Sequence, residues 1–363
     1  MSDITSASTS RFGRWAQAVL GSRYATVVVS LIALAILSPI LATGSLSSSA
    51  LLSMLPFAAI LAVVAAGQTI IVQQAGIDLS VPGAVSLAAM LQNTIADGKD
   101  SNILLAMVIS LAATVIAGVL TGLAVSWFSV TPLVATLAVN GLTLGTVLMI
   151  SGGQNAIRSP NSITAFTLGQ TIGVPNLVWV AAVVIAIVTF VTTRTIFGRR
   201  FVAVGVSPRA ARAAGISSIG YTVAAFAIAG FCYGVAGVML AAFQGSPSID
   251  VGTDYLLPSI AAVVIGGTAL TGGRGSIVAT ALGALFLTQL DRLVSGIGGP
   301  TSIQDIVQGA VILFALTLRG LILFIRNRVR RRSPAPPDGP GLPSSDESEP
   351  VLAGRPATDD DLH

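Results

Sequence analysis

The stretch "LLSMLPFAAILAVVAAGQTIIVQ", residues 51–73, contains no charged residue and is long enough to cross the apolar core of a membrane as one helix. Similar apolar runs recur along the 363-residue chain, of which 53% is hydrophobic and only 9% is charged. The mean hydropathy of +0.86 is far above that of a soluble domain. We place spans at 24–43, 51–73, 79–95, 103–127, 132–151, 177–196, 219–243, 258–271, 276–295 and 302–318. The sequence therefore predicts an all-α integral membrane protein with about ten transmembrane helices.

Two other structural classes fit this pattern poorly. A soluble protein with buried helices would not need so many apolar runs of membrane-spanning length. A membrane β-barrel requires alternating polar and apolar residues, whereas these runs are continuously apolar. The first run follows Arg11, Arg14 and Arg23 and lacks a convincing cleavage site, so we interpret it as an anchored helix rather than a signal peptide.

Positive charge is distributed unevenly between the two sets of loops. With an even number of spans both termini share a side, and fifteen arginines then fall on that side near membrane ends. Only Lys99, Arg158 and Arg292 fall on the other. Because cytoplasmic loops carry the excess of Lys and Arg, both termini are expected in the cytoplasm. The same rule places the basic segment 197–218 there.

Composition divides the chain into three parts. Residues 1–23 form a polar, cytoplasmic head, and residues 24–325 form the transmembrane domain with its long cytoplasmic loop at 197–218. Residues 326–363 begin with a basic cluster and continue as an acidic, Pro-rich tail. The tail has too little apolar surface to offset the entropy of ordering, so we expect it to be disordered.

Glycines suggest where helices approach closely. The pairs Gly118/Gly122, Gly141/Gly145 and Gly230/Gly234 each form a GxxxG pattern inside a predicted span. Small residues at this spacing let two helix backbones come together in a membrane, so a packing role is favoured over a binding role.

A weak internal similarity links two segments. "GIDLSVPGAVSLAAML" and "GGRGSIVATALGALFL" each place a Gly four residues before a Ser and continue as a small-residue helix. On the predicted topology both Gly-loops lie on the inner side. The pattern indicates either two related elements or shared helix-start chemistry, with Ser80 and Ser276 as N-caps.

Several kinds of chemistry are missing from the sequence. Lys99 is the only lysine, which excludes the phosphate-binding loop that needs a lysine after its second glycine. His363 is the only histidine and Cys232 the only cysteine, which excludes His/Cys metal clusters and His-based catalytic triads. The chain is therefore expected to bind no metal or cofactor itself and to act as a passage whose energy comes from elsewhere.

The basic segment contains a short predicted helix. In "SPRAARAAGI" Ser207 is a suitable N-cap, Pro208 suits the first turn and Gly215 suits the exit. This helix would lie along the cytoplasmic membrane surface. The alternative is a solvated loop whose arginines only set the topology.

The same segment resembles the cytoplasmic loop of bacterial ABC importer permeases, whose pattern is Glu-Ala-Ala, three residues, then Gly. Ala210, Ala211 and Gly215 match this pattern, and Arg209 stands where the family usually has Glu. "QQAGIDLSVPGAVSLAAM" and "AAVVIGGTALTGGRGSIVATALGALF" resemble the two signatures of the ribose/galactofuranose/xylose-type sugar permeases, and "GGQNAI" also fits. In the first signature Ala75 replaces the first Gly, and Pro82 is a further departure. The resemblance covers about residues 50–325.

The resemblance implies a transport complex in the bacterial cytoplasmic membrane. Two permease subunits would assemble with two ATPase subunits, which use ATP and Mg²⁺, and with an extracytoplasmic sugar-binding protein. The chain would then contact membrane lipid but no nucleic acid, and it would not be an enzyme by itself. The loop helix would dock on the ATPase through a set of five residues: Arg209, Ala210, Ala211, Arg212 and Gly215.

Polar residues inside the predicted spans are candidates for the substrate path, because such residues are costly in a membrane. They are Gln68, Gln74, Asp78, Asn93 and Asn140. Asp78 could instead cap a helix or act as a hinge, and the asparagines could instead join helices. A tight structural loop is expected at Gly272, Gly273, Arg274 and Gly275. Other functions left open are a branched-chain amino-acid or nucleoside ABC permease, a secondary transporter or channel, and a membrane enzyme.

Overall fold

The computed structural model describes residues 25 to 296 apart from 43 and 157, and isolated positions between 298 and 317. The chain divides into two units, Met1–Leu316 and Thr317–His363, and all elements named below lie in the first. The helices are α1 Ala25–Leu41, α2 Ser48–Gln73, α3 Val81–Ala96, α4 Ile103–Ser126, α5 Pro132–Ser151, α6 Asn161–Leu168, α7 Asn176–Arg194, α8 Ile196–Val206, α9 Pro208–Ala213, α10 Ser218–Gln244, α11 Leu256–Ile265 and α12 Ile277–Gly296. Turns of 3₁₀ helix lie at Asp100–Asn102 and Thr253–Tyr255, and strands β1 Gln170–Thr171 and β2 Val174–Pro175 form a small antiparallel hairpin.

The helices follow the predicted spans. Each predicted span from 24–43 to 276–295 contains a helix, whereas 302–318 lies almost wholly outside the described residues. Within the described part, six helices are long and apolar enough to cross a membrane: α2, α4 with its preceding turn, α5, α7, α10 and α12. The helical membrane architecture is therefore confirmed. The full number of about ten crossings and the cytoplasmic termini stay predictions.

The predicted span at 258–271 contains only a short helix. α11 ends at Ile265, and residues 266–276 form an irregular loop in which Gly272 and Gly273 take positive φ angles of 85° and 73°. The backbone turns tightly here, since the amide of Gly272 donates to the carbonyl oxygen of Ala269 at 3.0 Å. The expected structural loop around Arg274 is present. Its glycines explain why the apolar run does not continue as a helix.

Helix α2 lies at the centre of the bundle. Every residue from Ala58 to Gln73 is buried, as expected for a helix that is apolar on all sides. Gly67 allows α2 to approach α10, where an added Cβ would lie 2.8 Å from a ring carbon of Tyr233 and 3.1 Å from the Cβ of Cys232. The core of the bundle thus forms where α2 and α10 meet.

The three glycine pairs have two different environments. A Cβ at Gly230 would collide with the carbonyl of Thr114, and one at Gly118 would collide with the backbone of α10, so both pairs on these helices form one close α4–α10 contact. The packing role predicted for them is confirmed. Gly141 and Gly145 differ, because no described atom would lie within 4 Å of a Cβ at either position.

The two Gly-loops meet at one end of the bundle. The amide of Gly273 donates to the carbonyl oxygen of Gln73 at 2.8 Å. The side chain of Ser276 caps α12 by accepting from Ala279 at 3.3 Å, as predicted. Ser80 is the N-cap residue of α3, as predicted, but its side chain makes no cap hydrogen bond there. Its hydroxyl donates to a neighbouring carboxylate instead.

Candidate functional site

A buried polar cluster surrounds Asp78 in the loop between α2 and α3. Asp78 is only 2% exposed. Its Oδ1 accepts from the amide of Ser80 at 2.8 Å and from the hydroxyl of Ser80 at 2.6 Å. A carboxylate two residues before the partner amide stabilises a local turn, so Asp78 supports the approach to α3 without being its cap residue.

Two residues from other helices complete the cluster. The hydroxyl of Tyr233 lies 3.1 Å from the amide group of Gln68. With the amide oriented to satisfy all its neighbours, Gln68 donates to Tyr233 and to the Asp78 carbonyl at 3.3 Å, and accepts from the Asp78 amide at 3.2 Å. The Asp78 cluster, formed by Gln68, Asp78, Ser80 and Tyr233, therefore ties the loop to both central helices.

The cluster is closed in this arrangement. Gln68 is 0% and Tyr233 is 1% exposed, so neither presents its polar group to a surface. A buried polar network of this kind is stable because its members satisfy one another. The structure thus brings together two of the predicted path residues, Gln68 and Asp78, but joins them to each other.

Tyr233 was missed by the sequence reasoning. It stands inside an apolar run, where an aromatic residue contributes to packing without any further role. A signal was nevertheless available, because a buried Tyr hydroxyl in a membrane span requires a hydrogen-bond partner. The sequence offers few such partners within spans, and Asp78 is the only acidic residue near the start of α3.

Gln74 belongs to a tightly packed junction next to the cluster. Its Nε2 donates to the carbonyl oxygen of Phe201 in α8 at 2.9 Å. A Cβ at Gly205 of α8 would collide with the carbonyl of Gln73, and one at Gly272 would lie 3.1 Å from the Cβ of Ala75. The end of α2, the helix α8 and the 266–276 loop therefore meet here almost backbone to backbone. We call this set, 73–75 with 201–205 and 272–275, the junction.

Ala75 departs from the glycine of the permease signature, and the structure shows its consequence. Ala75 takes a φ of +60°, a left-handed conformation that costs an ordinary residue about 1–2 kcal/mol. Glycine would adopt this conformation without strain.

The helix predicted in the basic segment is α9, and its ends are formed as expected. The side chain of Ser207 accepts from the amide of Ala210 at 3.3 Å, and Pro208 occupies the first turn. At the other end Gly215 has a φ of +76°, and the amide of Ile216 donates to the carbonyl oxygen of Ala211 at 2.9 Å. The chain therefore leaves α9 in a sharp turn.

The faces of α9 differ from the expectation in one respect. Ala211 was expected to lie against the partner, but it is only 4% exposed and packs into this chain. Arg209, Ala210 and Gly215 are exposed, so they remain available for docking. Arg212 is also exposed, and its Nη1 donates to the hydroxyl of Ser218 at 2.9 Å, which fastens α9 to the start of α10.

The two asparagines join elements. Asn140 of α5 accepts from the amide of Gly83 at 2.8 Å and so satisfies one of the unpaired amides in the first turn of α3. Asn93 donates to the carbonyl oxygen of Gly245 at 3.0 Å and accepts from the hydroxyl of Ser159 at 2.6 Å. Both contacts agree with the alternative in which these residues connect helices.

The chain is similar in sequence to known permease proteins. A family model described as "Branched-chain amino acid transport system / permease component" matches residues 50–316. The autoinducer 2 import system permease protein LsrC of Escherichia coli (strain K12 / DH10B) is 29% identical over 314 residues, which are 86% of this chain and 92% of that protein. The ribose import permease protein RbsC of Escherichia coli (strain K12) is 32% identical over 312 residues, 83% of this chain and 97% of that protein. No solved structure gives a significant match.

Proposed function

This chain belongs to the family described as the permease component of branched-chain amino acid transport systems, and we propose that it is the membrane-spanning subunit of an ATP-driven importer for a monosaccharide. The observation that carries the proposal is the likeness to a ribose import permease along 97% of that protein's length. The six apolar helices and the family membership make the chain a multi-pass protein of the inner membrane. An amino-acid cargo has only the family description in its favour.

The chain works with partners that supply energy and deliver the cargo. We assign ATP hydrolysis to two separate ATPase subunits, and delivery to an extracytoplasmic sugar-binding protein. A second permease subunit completes the complex. In this arrangement about ten helices cross the membrane, both termini are cytoplasmic and α9 faces the ATPase.

The junction provides a route by which ATPase motion reaches the membrane interior. α9 follows α8 directly, and α8 contacts Gln73 and Gln74 through Gly205 and Phe201. Those glutamines begin the loop that carries Asp78. A push on α9 therefore shifts this loop, and we assign Asp78 and Gln68 to the gate that the movement opens.

The orientation is tested by labelling single cysteines in a Cys232→Ala background with an impermeant reagent. Ala213→Cys in α9 and Ser162→Cys in α6 replace exposed residues. In intact cells we expect labelling of the Ser162→Cys protein only. Labelling of the Ala213→Cys protein from outside would contradict the proposed contact between α9 and the ATPase.

The function itself is tested by uptake in proteoliposomes. The chain is reconstituted with the ATPase and binding protein encoded beside it, and uptake of D-ribose, D-xylose, D-galactose and L-leucine is measured with and without ATP inside. We expect ATP-dependent uptake of a monosaccharide. Uptake without ATP would identify a secondary transporter, and uptake of leucine alone would identify an amino-acid permease.

A further inference from the structure

A cavity of about 610 Å³ opens beside the first turns of α2. Its walls come from α2, α10 and α12 and from the segment that contains the β hairpin. Its lining includes Ser49, Ser53, Phe57, Gln170, Phe243 and Arg292. Its volume lies within the range of roughly 300–1,000 Å³ found for small-molecule sites.

The cavity lies at the opposite end of α2 from the junction. Ser53 lines the cavity, whereas Gln73 contacts α8 at the junction. At 1.5 Å per residue these two positions are about 30 Å apart along the helix, which is close to the thickness of the apolar layer of a membrane. The cavity and the coupling helix α9 are therefore associated with opposite membrane surfaces.

Arg292 is held in the cavity wall by two neighbours. Its Nη2 donates to the carbonyl oxygen of Ser53 at 3.2 Å, and its guanidinium carbon lies 5.4 Å from the centre of the Phe57 ring. Phe57 in turn meets Phe243 edge to face at 5.3 Å. The guanidinium is thus fixed by a carbonyl on one side and an aromatic ring on another.

The charge of Arg292 is not neutralised by the cavity. No acidic side chain lines it, and the ion pair between Lys99 and Asp97 does not involve Arg292. A guanidinium has five N–H donors in a fixed fork, and it suits ligands that present adjacent oxygen acceptors. Ser49, Ser53 and Gln170 add further polar groups around the same space.

We infer that this cavity is a sugar-binding subsite on the side opposite the ATPase, where the permease receives a monosaccharide before the Asp78 gate opens. Arg292 donates to neighbouring hydroxyl oxygens of the sugar, and Phe57 keeps the guanidinium in place. This inference rests on the proposed function, because it takes the cargo class from it. It adds a site that is far from Asp78 and from α9.

Equilibrium binding of radiolabelled D-ribose, D-xylose and D-galactose to the full chain in lipid nanodiscs, without ATPase or binding protein, tests the site. We expect at least one sugar to bind, and Arg292→Gln to weaken that binding by about tenfold or more, as for the loss of a hydrogen bond from a charged group. Arg158→Gln is the matched control, since Arg158 is also exposed but does not line the cavity. It should leave binding unchanged.

A second variant tests the cavity without removing the arginine. Ser49→Trp places a large ring at the exposed start of α2 and should reduce binding to a similar extent. Binding of no sugar, or equal binding by the wild type and both variants, would overturn the inference. A further arm measures binding of radiolabelled sulfate, and Arg292-dependent sulfate binding that none of the sugars competes with would show an anion site and overturn the sugar assignment.

The uptake assay separates the two proposals. ATP-dependent uptake that is unaffected by Arg292→Gln would overturn the subsite alone. Arg292-dependent sugar binding without ATP-dependent uptake would overturn the importer and leave the subsite standing.

Discussion

The glycine pairs of α4 and α10 and the pair of α5 share one sequence pattern but have different surroundings. Gly118 and Gly230 each touch the backbone of the facing helix, whereas Gly141 and Gly145 have open space beside them in the described part of the chain. The pattern therefore reports that a close approach is possible, and the fold decides where one is made. Other glycines, such as Gly215, are needed for their backbone conformation and not for the space that a missing side chain leaves.

The largest effect is expected where the backbones touch. Gly230→Leu would push a branched side chain into the carbonyl of Thr114, and overpacking of this kind costs about 3 kcal/mol or more. The variant should purify as a poorly folded or aggregated protein. The unfolding temperature and the aggregated fraction are measured by size-exclusion chromatography of heated samples in detergent.

Gly141→Leu is the matched control, with the same substitution in the same sequence pattern. It should unfold within a few degrees of the wild type, because no described atom lies in the way. Equal losses in the two variants would break the distinction between the closed and the open pair.

A smaller effect is expected at the junction. The valine of Gly205→Val would collide with the carbonyl of Gln73. We expect the free energy of unfolding to fall by about 2 kcal/mol and ATP-driven uptake to be lost. Ala203→Val on the exposed face of the same helix is the control. Unfolding temperature and uptake are measured for both, and normal uptake by Gly205→Val would exclude the junction as the transmission route.

Gly215 tests the case in which conformation matters and space does not. No described atom would lie within 4 Å of its Cβ, but its φ of +76° disfavours a β-branched residue by about 1–2 kcal/mol. Gly215→Val should stay in the membrane yet bind the ATPase weakly in pull-down assays. Gly215→Asn should bind normally, since Asn tolerates this conformation. Equal weakening by Asn would show that the missing side chain, rather than the turn, is what docking requires.

The smallest effect on stability is expected from Asp78→Asn. The amide oxygen of Asn can still accept from Ser80, so the free energy of unfolding should change by less than about 1 kcal/mol. Asp78→Ala leaves the amide and hydroxyl of Ser80 without this acceptor and should cost about 1–3 kcal/mol. If the charge serves the gate, uptake falls in the Asn variant while the protein remains stable. Full uptake by Asp78→Asn would leave only the structural role.

The sequence predicted local features correctly but not the contacts between residues far apart in the chain. The helix at α9 was predicted with its cap at Ser207 and its exit at Gly215, because those signals act within a few residues. Ala211 was expected to face the ATPase but is buried within this chain, since the face that a short helix turns inward depends on neighbours far along the chain. Asn93 and Asn140 were ambiguous for the same reason.

What the sequence by itself determined is the membrane class, the positions of the helices and the turns that end them. Apolar length, charge placement and capping residues act locally and can be counted along the chain. Only the tertiary structure decided that Tyr233 meets the Asp78 loop, that Gly205 meets Gln73 and that Arg292 lies over Phe57. These contacts join residues far apart in the chain. They depend on the position and rotation of whole helices. A helix that is apolar on all sides has no single face that would fix its rotation.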